Sequence, residues 1–122
     1  VSAIRKEAKK EVLLHTKDML FSDLSYLQEN YQNVAIVTKD EETAMKLYEQ
    51  IKEFYSISLI TGETKEFQKD LLLIPAYLAK GLEFDSVIVY QDTSSYYTEK
   101  EKNLFYVSCT RAQHELIVYE KK

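Results

Sequence analysis

Two short stretches carry the residues best suited to chemistry. In "AKGLEFDSVIVY" (79–90), Lys80, Gly81 and Glu83 stand directly ahead of an apolar run, and in "LFYVSCTRAQHEL" (104–116) Thr110 and Arg111 stand ahead of another. Gly81 is one of only two glycines among 122 residues, the other being Gly62. A glycine used so rarely marks a place where the backbone takes a positive φ or comes close to a ligand. Glu83 supplies acceptor oxygens and Arg111 a planar, permanently charged fork of donors, which would suit a ribose hydroxyl and a phosphate respectively. Structural readings stand beside these. Arg111 could bond the last carbonyls of a helix, Glu83 could be a surface carboxylate, Lys80 a solvated side chain and Gly81 a turn residue.

The elements that must position these residues follow from two periods. Glu11 to Thr16 (EVLLHT) reads as a short strand, although the charge-rich run before it would also accept a helix. Asp18 is placed to cap a helix with Leu20, Leu24, Leu27 and Tyr31 on one face, ending near Asn30. Val34 to Thr38 (VAIVT) is a β-branched strand, followed by Asp40 as a cap and by Ala44, Leu47, Tyr48, Ile51, Phe54 and Tyr55 at helical spacing. Further strands are expected at 57–60, at 71–74 closed by the only proline, Pro75, at 86–90 and at 115–119, with a last helix over about 98–110. Strands apolar on both faces, alternating with helices, imply a three-layer α/β fold whose mostly parallel sheet is covered on both sides. About ten residues lie between Pro75 and Ser86, close to the minimum for a parallel crossover. If the two strands are parallel, Glu83 and Arg111 reach the same edge of the sheet.

Composition narrows the classes. The chain is 45% hydrophobic and 30% charged, which fits one domain with a real core over residues 1–122. Its formal net charge of −4 is not the basic footprint of a protein that wraps nucleic acid alone. A single cysteine, Cys109, excludes an internal disulfide framework, is expected on a buried helix face and favours the cytoplasm. The longest apolar stretch, Leu71 to Pro75, falls far short of the roughly 20 residues that span a bilayer, so no membrane role is expected. His15 and His114 are isolated, without metal-ligand spacing, and no metal site is expected. Tyr96 and Tyr97 could stack on bases or dock a partner, but packing at the sheet edge explains them more simply. A first residue of Val1 suggests a piece of a longer protein.

At the two quoted stretches the chain resembles a known family. "AKGLEFDSVIVY" and "KNLFYVSCTRAQHELIVY" are similar to motifs V and VI of the UvrD/Rep-type superfamily-one helicases, and "VAIVTKDEETAMKLYEQI" with "IPAYLAKGLEFD" resembles the HelD, helicase-IV-like branch. The resemblance implies the second, C-terminal RecA-like domain of an ATP-driven motor: a P-loop NTPase-type fold without the P-loop. It implies that Arg111 is the finger on the γ-phosphate, that Glu83 contacts the ribose, and that Gly81 with Lys80 shapes the loop coupling nucleotide to nucleic acid. Where the family commonly has Thr-x-His, this chain has Pro75-Ala76-Tyr77, so those contacts do not carry over. Tyr77 and Thr110 remain as nucleic-acid or coupling candidates.

No G-x-x-x-x-G-K-[ST] loop is present, and two glycines cannot supply one. The resemblance implies ATP and magnesium in the full-length protein, held mainly by an N-terminal P-loop domain that also carries the magnesium ligands. This chain alone is expected to be half an active site, without ATPase activity, in a DNA helicase or translocase that binds nucleic acid. A competing reading keeps the fold as a non-catalytic module that docks a protein such as RNA polymerase through its acidic surface.

Overall fold

The computed structural model describes residues 11–63 and 70–120. Six strands, β1 (Glu11–His15), β2 (Val34–Thr38), β3 (Ser58–Leu59), β4 (Leu71–Pro75), β5 (Phe84–Val89) and β6 (Ala112–Tyr119), form one sheet in the order β1-β6-β5-β2-β4-β3. Every pairing within it is parallel. β2 and β4 are buried at each position, as expected of β-branched and aliphatic runs covered on both faces.

Helices α1 (Leu20–Asn30) and α2 (Glu41–Ile51) lie on one face, where Leu24, Leu27, Leu47 and Ile51 pack against Ile36, Leu73, Ile88 and Ile117. A short helix, α3 (Ala76–Ala79), and α4 (Lys102–Cys109) cover the other, with Ala76, Ala79, Leu104 and Phe105 against Val37, Val87, Val89 and Leu116. Burying one such aliphatic side chain contributes about 1.5–3 kcal/mol. Both faces are thus sealed by sequence-local helices.

Several boundaries differ from the sequence expectation, each for a physical reason. Asp18 is not a cap: Lys17–Met19 forms a 3-10 turn, and α1 begins after Met19 with no side-chain cap. Asp40 does cap α2, its Oδ1 accepting from the Thr43 amide at 2.9 Å. That helix stops at Ile51, where the amides of Phe54 and Tyr55 both turn back to the Ile51 carbonyl and leave Phe54 70% exposed. The expected helix over 98–110 opens as a 3-10 turn, Glu99–Glu101, closed by a capping box between Thr98 and Glu101. α3 fills a crossover expected to be loop, and β5 and β6 both begin earlier than their apolar runs. Cys109 is half-buried on α4, packed against the core. The charged run ahead of β1 lies outside the described residues.

Polar groups inside the first face are tied to phenols. Glu115, 1% exposed, accepts at Oε1 from the hydroxyls of Tyr26 (3.0 Å) and Tyr31 (2.8 Å). Burial and the bond to Glu115 push the Tyr31 hydroxyl up to about 12. Asp23 accepts from Tyr119 at 2.7 Å and meets His15 Nδ1 at 3.0 Å; burial and Asp23 together drive the Tyr119 hydroxyl well above its ordinary value.

Two predictions follow from these contacts. Asp40→Ala should lower stability by about 1 kcal/mol, read from denaturant midpoints, through loss of the α2 cap; an unchanged midpoint would show that the cap is idle. The folded state holds the Tyr31 proton more tightly than the unfolded chain, so that contribution is complete below pH 10 and is lost as pH rises towards about 12. Tyr31→Phe should reduce the slope of melting temperature against pH across that interval, and an unaltered slope would contradict the assignment.

Candidate functional site at the amino edge of β5 and β6

Phe84 opens β5 and Ala112 opens β6, and the two are register partners. The residues just before them, Glu83 and Arg111, therefore reach one edge of the sheet. The amide of Phe84 donates to the Arg111 carbonyl at 2.9 Å, fixing this juxtaposition through the backbone.

Arg111 is half-buried and holds the edge together. Its Nε donates to the Val107 carbonyl (3.1 Å), Nη1 to the Leu82 carbonyl (3.1 Å) and Nη2 to Thr110 Oγ1 (2.9 Å). Thr110 in turn donates to Val107 at 2.8 Å. The guanidinium thus joins the end of α4 to the loop ahead of β5, as a helix-end arginine would. Two of its five N–H groups remain outside these bonds. Structural anchoring and donation to an anion are compatible in one side chain.

Glu83 is exposed and does not meet Arg111; its Oε1 accepts from Gln113 Nε2 at 2.7 Å, and Oε2 takes no partner among the described residues. Lys80 and Gly81 form the middle of a tight turn in which the Leu82 amide bonds the Ala79 carbonyl at 3.0 Å. Lys80 at φ −59°, ψ 130° and Gly81 at φ 86° match a type II turn, whose third residue needs positive φ. A Cβ at Gly81 would meet nothing within 4 Å, so conformation rather than crowding within the domain calls for glycine there. Lys80 is exposed beside a groove of about 350 Å³ between α3 and α4.

Tyr77 is elsewhere. It follows β4 at the carboxyl edge of the sheet, 54% exposed, with its hydroxyl on Glu41 Oε2 at 3.1 Å, and partial desolvation and that bond raise it above its ordinary value. The structure brings Thr110, Arg111 and Glu83 to one edge and sets Tyr77 apart from them, in the groove it shares with Lys80. A polar depression of about 270 Å³ also opens at the carboxyl edge, lined in part by Lys39, Thr43, Lys46 and Asp92. Its wall is a tight turn in which Asp92 accepts from the Ser94 and Ser95 amides. Burial works to raise Asp92, but these bonds, with those from the Ser94 and Tyr90 hydroxyls, outweigh it and hold the carboxyl below its usual range. Among the described residues, no three His, Cys, Asp or Glu side chains gather as a metal site, and no helix is long and apolar enough to cross a membrane.

Comparison with known proteins places the fold. Over residues 1–122 the sequence matches the UvrD-like helicase C-terminal domain. The chain belongs to that family. The C-terminal domain of a possible DNA helicase from Lactobacillus plantarum WCFS1 is similar to this UvrD-like domain at 28% identity and a TM-score of 0.75, over 92% of this chain and 73% of that one. The C-terminal domain of the DEAD-box protein Dbp5 shares the fold, at 17% identity and a TM-score of 0.65, over 94% of this chain and 78% of that one. No curated protein matches. The parallel six-stranded sheet is thus the RecA-like fold of helicase C-terminal domains.

Sequence reasoning missed Gln113, the partner of Glu83. Between the pairs Phe84↔Ala112 and Ser86↔Glu115, β6 contains one more residue than β5, a β-bulge. Gln113 and His114 are consequently both exposed at the rim of the UvrD-like domain, where strict alternation would turn one of them inward. The only signal was the polar pair itself, Gln113-His114, ahead of ELIVY. Gly81→Ala should cost about 1–2 kcal/mol in a thermal or denaturant melt, from the positive φ alone; an undiminished stability would mean that the turn relaxes freely.

Proposed function

We propose that this domain is the second motor half of an ATP-driven superfamily-one DNA helicase or translocase of the HelD type. In this reading Arg111 serves as the finger on the γ-phosphate, and Glu83 as the ribose contact, for ATP held by an N-terminal P-loop domain. The observation that carries the reading is the Phe84↔Ala112 register, which sets Glu83 and Arg111 side by side at one edge. The two unused guanidinium N–H groups and the open Oε2 of Glu83 fit an anion and a hydroxyl respectively.

Open parallel sheets usually bind ligands at their carboxyl ends. An amino-edge site suits a domain that meets a nucleotide cradled by another domain rather than cradling it itself. Bound ATP with magnesium would supply the phosphoryl group to be transferred. Arg111, already oriented by Val107, Leu82 and Thr110, would meet developing charge without reorganising, the circumstance in which a fixed donor is most effective. Lys80 and Gly81 lie in the turn ending at Leu82, whose carbonyl Arg111 holds, so displacement of the guanidinium would reach the α3 segment and Tyr77 at the other edge. This is the coupling route to nucleic acid. The single cysteine favours work in the cytoplasm.

In the full-length protein, Arg111→Ala should lower kcat for ATP hydrolysis by at least about a hundredfold with a smaller change in ATP affinity, and Arg111→Lys should restore little of it. Glu83→Ala should mainly raise KM. Near-normal turnover in Arg111→Ala, with only a lowered melting temperature, would reduce Arg111 to its anchoring role and favour the non-catalytic docking module instead.

A further inference from the structure

Among the described residues, one edge of β1 pairs with no other strand. Among these residues β1 pairs with β6 alone, and its sequence is Glu-Val-Leu-Leu-His. The carbonyl of His15 faces β6, accepting from the Glu120 amide at 2.8 Å. Backbone groups alternate along a strand, so those of Glu11 and Leu13 also face β6, while the N–H and C=O of Val12 and Leu14 face outward. The outward-facing pair is also the apolar exposed pair: Val12 is 54% exposed and Leu14 63%. Neither proline nor lysine interrupts Glu11–His15, and its pairing with β6 runs without a bulge, so three of the usual protections against edge pairing are absent there.

We infer that β1 is a docking edge for a second copy of this chain, pairing antiparallel about Leu13 with two-fold symmetry. That register sets Val12 opposite Leu14 of the second copy, and the reverse, so that each pair exchanges two backbone bonds while its side chains meet on the face away from α1. It sets Glu11 opposite His15 of the second copy on the α1 face. Nδ1 of His15 is already taken by Asp23, which leaves Nε2 as the ring nitrogen for the incoming carboxylate. Apolar therefore meets apolar and acid meets base in one register. A parallel pairing cannot achieve this, because it would stack Glu11 on Glu11. An isologous two-fold contact of this kind closes on itself and ends growth at a dimer.

Sedimentation velocity on the 122-residue chain over a concentration series tests this. The expected result is a monomer–dimer equilibrium. Val12→Lys and Leu14→Lys should each weaken dimerisation by about tenfold or more, and Glu11→Lys should weaken it less. Both lysine variants alter exposed side chains, so their circular dichroism and melting should stay close to those of the parent chain. Phe54→Ser, on a separate exposed aromatic cluster with Phe21, should leave the dimer unchanged. A monomer at every soluble concentration would overturn the proposal. So would a dimer indifferent to Leu14→Lys, or one dissolved by Phe54→Ser.

Discussion

Parallel pairing of β5 with β6 brings the starts of two strands to one edge, and a single extra residue in β6 decides which side chains stand there. Phe84 and Ala112 lock the loops that precede them, and the backbone bond from Phe84 to Arg111 makes that lock insensitive to side-chain identity. The bulge then frees Gln113 to reach Glu83. Without it, strict alternation would continue from Glu115, and Gln113 would share the buried face with that carboxylate. Position at the rim is thus a property of register, and chemistry is added by a few residues outside the strands.

Rigidity behind the edge comes from buried polar groups with aromatic partners. Glu115 lies one step into the sheet from the bulge and binds two tyrosines of the α1 region, Tyr26 and Tyr31. Its other oxygen and the hydroxyl of Ser86, its register partner on β5, lack hydrogen-bond partners among the described residues. Such a group disfavours any arrangement that would strip away its remaining bonds, since a buried acceptor left wholly unpaired costs about 1–3 kcal/mol. At the other end of β6, Tyr119 and His15 converge on Asp23. α1 is therefore tied to β6 at both ends by bonds with fixed geometry, besides its apolar stripe.

The parts legible in the sequence are those set by local pattern. VAIVT announces a buried strand, and Asp40 with Thr43 announces a capped helix, because both signals act within a few residues. Gly81 was legible as a conformational requirement, and the type II turn supplies its reason. Arg111 and Glu83 were legible as residents of one edge because parallel strands admit no other arrangement. Contacts set by register were not. Asp18 looks like a cap in sequence, yet the chain makes a 3-10 turn through it. Phe54 and Tyr55 continue the helical period beyond the point where α2 ends. The Glu83–Gln113 bond depends on a bulge whose one local trace is the polar pair Gln113-His114.

In the proposed reading the two edges divide the labour: the amino edge gathers Glu83, Thr110 and Arg111, the carboxyl edge holds Tyr77 beside Glu41, and the turn at Gly81 lies along the chain between Tyr77 and Glu83. The central claim is that the amino edge faces nucleotide bound by another domain. A structure of the full-length protein with a non-hydrolysable ATP analogue and magnesium tests it most directly. The account predicts Arg111 within hydrogen-bond distance of the γ-phosphate, still bonded to the Leu82 carbonyl, with Glu83 on the ribose. A nucleotide seated at the carboxyl edge, or an Arg111 bonded only to Val107, Leu82 and Thr110 in the closed state, would contradict it.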